Sequence, residues 1–246
     1  MSELAPGPLI VGVADRVEAL VAAAALPADA RPFDLVEARV DLFADQRLEG
    51  AGAEASARLE RSGTPVLVTI RSAAQGGRFA QDEGARLARF RAALEVASWA
   101  DVEDDAQIVG DVAALVAARP GGRLVVSHHD FAATPLLERL LAWVDGCHAA
   151  APGAVAKVAT RVNEPADRAA LKMLLERRPD RTAVIGMGAA DDGLRVALAA
   201  AGSLLAYAFL AGATAPGQIS AAALHARLLE ASPRYAARRG SAGAAT

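Results

Sequence analysis

Cysteine is almost missing from this chain: among 246 residues only Cys147 is present, so no disulfide can form within it. That fits a reducing compartment, and the cytoplasm is the expectation. Histidine is scarce too, with four in all, and no histidine or cysteine spacing resembles a zinc site. Aromatics are 4% of the residues and the formal net charge is only −3. No basic run carries interleaved aromatics, which argues against nucleic acid or a charged membrane surface as partner. No apolar stretch of spanning length is free of charges, so no membrane span is expected. The opening MSELAPGPLIVGVADRV lacks a positive n-region and does not read as a signal peptide. No Pro, Gly and Ser-rich linker divides the chain, which is expected to form one domain over 1–246. The closing RRGSAGAAT is expected to fray, giving a flexible tail from about 234.

What is present is alternation. Short apolar or β-branched runs recur between longer alanine-rich segments. The strand candidates are LIVGVA from Leu9, DLVEARV from Asp34, PVLVTIR from Pro65 and ADVE from Ala100. RLVVSHH from Arg123, AVAKVAT from Ala154, TAVIGMG from Thr182 and LLAYAFL from Leu204 complete the set. The segments between them place apolar residues three and four apart, as helices do, with Asp82 and Thr134 as candidate N-caps. Strand-helix alternation implies parallel strands covered by helices. About eight such units at this length predict an α/β fold, a single-domain (β/α)8 TIM barrel. The rival is an open doubly wound sheet, but GVADRVEAL after the first strand has no glycine fingerprint. GMGAADDG follows a later strand, yet Asp191 replaces its third glycine, so a dinucleotide site is a weak reading.

Barrel active sites lie at the C-terminal ends of the strands. Polar residues collect there: Glu37, Arg39 and Asp41 in the second unit, Arg71 in the third, His128, His129 and Asp130 in the fifth. Lys157, Thr160 and Arg161 follow in the sixth. Strand side chains alternate faces, so Glu37, Arg39 and Asp41 share one face while Val36, Ala38 and Val40 share the other. The charged face points to the barrel mouth. The plain alternative is an ion-pair network that braces the barrel. His128 and His129 face opposite ways, so they do not bind one metal together. Lys157 stands in an apolar run, and a lysine is rarely buried without a partner. It either snorkels to water or serves as a Schiff-base amine, its pKa lowered by apolar neighbours and by Arg39, Arg71 or Arg195. A neutral amine attacks a ketone; an ammonium does not.

Taken together, these motifs resemble the type I 3-dehydroquinate dehydratase family. EARVD supplies Glu37, Arg39 and Asp41; TIRS supplies Arg71; SHHDF supplies His129 and Asp130. AKVAT supplies Lys157, MGAADDGLR supplies Arg195, and TAPGQ supplies Thr214 and Gln218. The resemblance runs from about Leu9 to Ser220. It implies a lyase that dehydrates 3-dehydroquinate to 3-dehydroshikimate, with Lys157 as the imine-forming amine and His129 as the acid and base. Glu37, Arg39, Arg71, Arg195, Thr214 and Gln218 would bind substrate, with Asp41, Gln75 and Asp130 in support. It implies no metal or organic cofactor, a small carboxylate substrate as partner, and a homodimer. The step is used in aromatic amino-acid biosynthesis through the shikimate pathway and in quinate breakdown. Two other readings share the motifs. One is a different class I Schiff-base lyase or aldolase; the other is a relative that binds pathway metabolites without turnover. The chain departs from the family at Gln75, where a glutamate normally hydrogen-bonds the catalytic histidine. The loss of that charge predicts a lowered His129 pKa and a shifted pH–rate profile.

Overall fold

A computed structural model describes residues 7–188, 193–212 and 219–243. The eight strand candidates all form strands: β1 (Leu9–Ala14), β2 (Leu35–Arg39), β3 (Val66–Thr69), β4 (Trp99–Glu103), β5 (Arg123–Asp130), β6 (Val155–Arg161), β7 (Thr182–Met187) and β8 (Leu205–Phe209). Each is followed by a helix: α1 (Val17–Ala25), α2 (Gly50–Arg61), α3 (Glu83–Ala93), α4 (Val109–Ala117), α5 (Leu137–Ala150), α6 (Pro165–Arg177), α7 (Gly193–Ala200) and α8 (Ala221–Ala231). The strands are parallel and lie in the order β7-β6-β5-β4-β3-β2-β1-β8. Such a sheet is covered on both faces, which is why its strands read as continuous apolar runs.

β7 and β8 meet without a regular ladder, so the barrel is nearly rather than fully closed. The seam is held at its base, where Leu204 N donates to Thr182 O at 2.9 Å. Ser203 Oγ, itself buried, accepts from Val184 N at 2.9 Å and so occupies the gap between the strands.

Side-chain parity divides the core into two shells. One set of residues (Ile10, Val36, Ala38, Val68, Val102, Val126, Val158, Val184) packs under the helices. The other set (Leu9, Val11, Leu35, Leu67, Trp99, Val125, Val155, Ala183, Leu205) fills the barrel interior. Continuing along the same parity, the interior turns polar at Glu37, Thr69, Asp101, Ser127 and Lys157, all of them buried. The register carries this layer around the barrel, since Thr69 pairs with Asp101 and Ser127 with Lys157.

The structure corrects three expectations. The segment from 234 is not a frayed tail: α9 (Pro233–Gly243) is a helix docked on the N-terminal end of the barrel. Tyr235 is fully buried, and Arg238 clamps Asp34 at 2.6 and 2.9 Å and also reaches Pro8 O. An apolar ring and a paired cation explain that order. Asp82 caps α3 by accepting from Ala85 N, but Thr134 is not a cap: α5 begins later, and Thr134 Oγ1 bonds Thr160 Oγ1 and Arg161 O instead. Finally, β2 ends at Arg39, and Val40–Leu42 form a 3-10 turn. Asp41 is therefore off the strand, turned back toward Arg39.

Candidate active site

Lys157 sits in the polar layer near the barrel axis. It is 4% exposed, and its Nζ donates to Asp101 Oδ2 at 2.7 Å. Its ammonium position lies 4.4 Å from the centre of the Tyr207 ring, on β8 across the interior. Burial pushes the amine below its ordinary pKa, and Arg71 adds to that through like-charge repulsion, while Asp101 and Glu37 oppose it. The amine is dry, paired and held at the level where the interior turns from apolar to charged.

Asp101 is the hub of this layer. It accepts from Lys157, from Arg71 at 2.9 Å and from Ser127 Oγ at 2.6 Å. Burial raises its carboxyl pKa, but the two cations and these hydrogen bonds outweigh it and hold the group far below the carboxylate range. Arg71 also donates to Ser127 Oγ at 2.7 Å and pairs with Glu103 at 3.3 Å. Glu103 in turn accepts from Ser72 N and pairs with the buried Arg86, which reaches in from α3 and also donates to Ile70 O. A second branch runs through Glu37, whose carboxylate accepts from Thr69 Oγ1 at 2.7 Å. Asp101, Arg71, Lys157 and Glu103 each have an opposite charge beside them, while Glu37 is held by the Thr69 hydroxyl.

His129 is one parity step above Ser127 on β5, so it faces inward; His128 faces outward. His128 Nδ1 meets Asp104 at 3.1 Å, Trp143 donates to the same carboxylate at 2.6 Å, and the pair raises the His128 pKa. Burial, aided by Arg71 and Lys157, drives His129 the other way, down to about 2. His129 is therefore a neutral imidazole near pH 7 in the unliganded protein. Its ring stacks on Phe131, centroids 5.9 Å apart and planes 10° from parallel. The lowered pKa expected from Gln75 thus has other causes here: burial first, then two cations.

The other sequence candidates divide. Arg39 lies at the rim and is bound two-pronged by Asp41 at 3.0 and 2.9 Å; Asp41 also accepts from Arg78 N. Arg71 is two residues beyond the end of β3 and belongs to the Asp101 network. Asp130 accepts from Ala132 N and Ala133 N, which folds the loop after β5 rather than reaching the lysine. Gln75 donates to Asp105 at 2.9 Å. Arg195, on α7, donates to Tyr207 O at 3.0 Å, beside the Lys157 cleft. Thr214 and Gln218 lie outside the described residues, as does much of the GMGAADDG segment.

The comparisons with known proteins follow this geometry. A family model described as type I 3-dehydroquinase matches residues 10–231. The chain belongs to the type I 3-dehydroquinase family. A 3-dehydroquinate dehydratase of Pyrobaculum aerophilum is 38% identical over 165 residues, 67% of this chain and 53% of that protein, so the chain spans about half that relative's length. One from Methanothermobacter thermautotrophicus is 36% identical over 188 residues, 76% of this chain and 80% of that protein. The crystal structure of 3-dehydroquinate dehydratase from Aquifex aeolicus VF5 has the same fold, with a TM-score of 0.76 at 24% identity, covering 91% of this chain and 98% of that one.

Sequence reasoning overlooked Asp101, Glu103, Ser127, Thr69, Arg86 and Tyr207. A signal did exist for the first two: ADVE places acidic residues at alternate positions of a short strand that must be buried, the same parity argument that singled out Glu37 and Arg39. Ser127 stands in SHHDF beside the histidines. For Arg86 and Tyr207 there was none, because a helical arginine and a strand tyrosine have ordinary surface and core roles.

Proposed function

We propose that this chain dehydrates 3-dehydroquinate to 3-dehydroshikimate through an imine on Lys157. The observation that carries the reading is the buried Lys157 amine, depressed in pKa and held 2.7 Å from Asp101, two register positions below an inward-facing, neutral His129. Lys157 Nζ adds to the C3 ketone, and the carbinolamine loses water to give an iminium. The iminium's positive charge replaces that of the ammonium, so Asp101 serves as counter-ion throughout. His129 takes the C2 proton, and the C–H electrons pass into the C2–C3 bond and on to nitrogen. The enamine then expels the C1 hydroxyl, to which His129 returns its proton, so that water leaves. A second water hydrolyses the imine and frees Lys157.

Arg195 supplies the fork-shaped cation that a C1 carboxylate requires, with Gln218 and Thr214 in support. Glu37, Arg39 and Arg71 hold the ring hydroxyls; their present partners, Thr69, Asp41 and Asp101, keep them in place for that task. Asp41 and Asp130 act indirectly, one on Arg39 and the other on the loop that follows His129. A homodimer in the cytoplasm completes the reading. The absence of disulfides and the burial of Cys147 support the compartment, and among the described residues no helix is long and apolar enough to cross a membrane.

Borohydride trapping tests the reading. The protein mixed with 3-dehydroquinate and borohydride should carry a reduced adduct on Lys157 by mass spectrometry, and an untreated sample should form the product's enone absorbance. An adduct without product supports instead a relative whose proton transfer is crippled. Neither adduct nor product overturns the proposal and leaves another Schiff-base substrate as the better reading.

A further inference from the structure

Tyr207 carries a polar atom that the fold leaves unused. On β8 it pairs in register with Val11, and it packs in the barrel interior with Val11 and Leu205. Its hydroxyl is buried and has no hydrogen-bond partner among the described residues. Asp101 and Glu37 act on the phenol electrostatically, yet neither carboxylate accepts from it. Lys157, Arg71 and Ser127 already occupy Asp101, and Thr69 holds Glu37. A buried hydroxyl left unpaired costs stability, and a phenylalanine would fill the same space without that cost. The surroundings suggest what the hydroxyl is for. Lys157 Nζ lies over the ring face, 4.4 Å from its centre. Arg195 Nη1 donates to the carbonyl of the same residue, and Tyr207 lines a cleft with Arg195, Val13, Asp15, Phe209 and Gly212. Tyr207 thus stands between the amine and the arginine proposed for the substrate carboxylate.

We propose that Tyr207 is a catalytic residue whose hydroxyl donates a hydrogen bond to the oxygen on the carbonyl carbon that Lys157 attacks. The phenol oxygen lies one ring radius and one C–O bond from the ring centre, and the oxygen of the attacked carbonyl lies two bonds from Nζ. When Nζ bonds to carbon above the ring, the two oxygens come within hydrogen-bond reach. As the N–C3 bond forms, the C=O π pair moves onto oxygen. Negative charge develops there, where a fixed donor in a dry site acts most strongly. The three protons of the lysine ammonium balance the imine step: two leave on the oxygen as water, and one stays on the iminium nitrogen. The phenol keeps its own proton throughout. Burial, with the two carboxylates adding to it, holds the phenol pKa well above the ordinary tyrosine value, so the group stays a neutral donor. Once water has left, that carbon offers no oxygen to Tyr207. Its role is therefore confined to making and breaking the imine, and removal of the C2 proton belongs to His129. The inference rests on the dehydratase reading and deepens it by assigning a donor to its first step.

Tyr207→Phe keeps the ring and removes only the hydroxyl. Mixing with 3-dehydroquinate for graded times, then rapid quenching in borohydride, reads the rate at which Lys157 becomes trapped. The variant should form the adduct about tenfold more slowly than wild type, the worth of one hydrogen bond made in the transition state. It should melt at the same temperature as wild type or higher, because an unpaired buried hydroxyl has gone. Deuterium at C2 of the substrate should slow the variant no more than it slows wild type. Equal trapping rates overturn the proposal. A lower melting temperature shows that the hydroxyl serves the fold, and a larger isotope effect assigns it to the C2 proton; either result also overturns the proposal. Failure of the dehydratase reading shows differently, as wild-type protein that gives neither adduct nor product from 3-dehydroquinate.

Discussion

The lower and upper halves of the barrel interior are built on the same strands with the same parity, yet they have opposite chemistry. At the base, Leu35, Leu67, Trp99, Val125 and Val155 fill the space with apolar atoms and little else. Two residues further along those strands stand Glu37, Thr69, Asp101, Ser127 and Lys157. The base is an ordinary core that anything apolar of the right volume could fill. The upper layer is a polar network in which buried Asp101, Arg71 and Lys157 compensate one another and Thr69 and Ser127 bond the carboxylates. The lesson is that the lysine needs both: the apolar floor keeps it dry, and the Asp101–Arg71 pair keeps it from being an uncompensated charge.

That contrast can be tested from either side. The largest effect is expected from Lys157→Ala, which should remove both turnover and the borohydride adduct while the chain still folds, since Asp101 keeps Arg71 and Ser127. His129→Ala should reduce kcat by about 10²–10⁴-fold yet still permit trapping of the imine. Asp101→Asn attacks the charged layer itself. It leaves Arg71 and Lys157 buried side by side without their carboxylate, and a denaturant titration should show a loss of about 3–5 kcal/mol. Leu67→Ala attacks the floor. It should cost a similar 2–5 kcal/mol, roughly, by opening a cavity, but kcat of the folded fraction should be close to wild type. If Leu67→Ala instead abolished activity with stability unchanged, the division between floor and catalytic layer would be wrong.

A pH experiment tests the charged layer without a substitution. The His129 pKa is lowered in the fold to about 2 from an ordinary 6.5. The unfolded chain therefore binds a proton in that interval that the folded chain refuses, and stability must fall as pH drops below 6.5 toward that value. The groups facing His129 are Arg71, Lys157 and Asp101, with His128 beside it on the strand. Gln75→Glu adds a carboxylate to this group, favours the imidazolium, and should move the acid limb of the kcat profile to higher pH. An unchanged profile would show that position 75 does not sense the histidine charge.

Much of the architecture was legible beforehand because it rests on local rules. LIVGVA gave β1 from Leu9 to Ala14, and strand parity set Glu37 and Arg39 on the face opposite Val36 and Ala38 and set His128 and His129 on opposite faces, while the choice of His129 and Lys157 came from the family resemblance. Where the reading went wrong, contacts distant in sequence had decided the matter. Thr134 looked like a cap but was taken by Thr160 and by the Arg161 carbonyl. The segment from 234 looked like a tail, but it pairs with Asp34, some 200 positions earlier in the chain.

By itself, then, the sequence determined the alternation of strands and helices, the parity of each strand and the residue types available for imine chemistry, because these depend on a period of two or 3.6 and on side-chain chemistry alone. Only the tertiary structure decided that Asp101 lies between Lys157 and Arg71, that the Tyr207 ring packs against the amine, and that Gln75 answers to Asp105. Those pairings follow from barrel register and closure, which bring together strands many residues apart, and no local pattern in the chain encodes which charge will meet which.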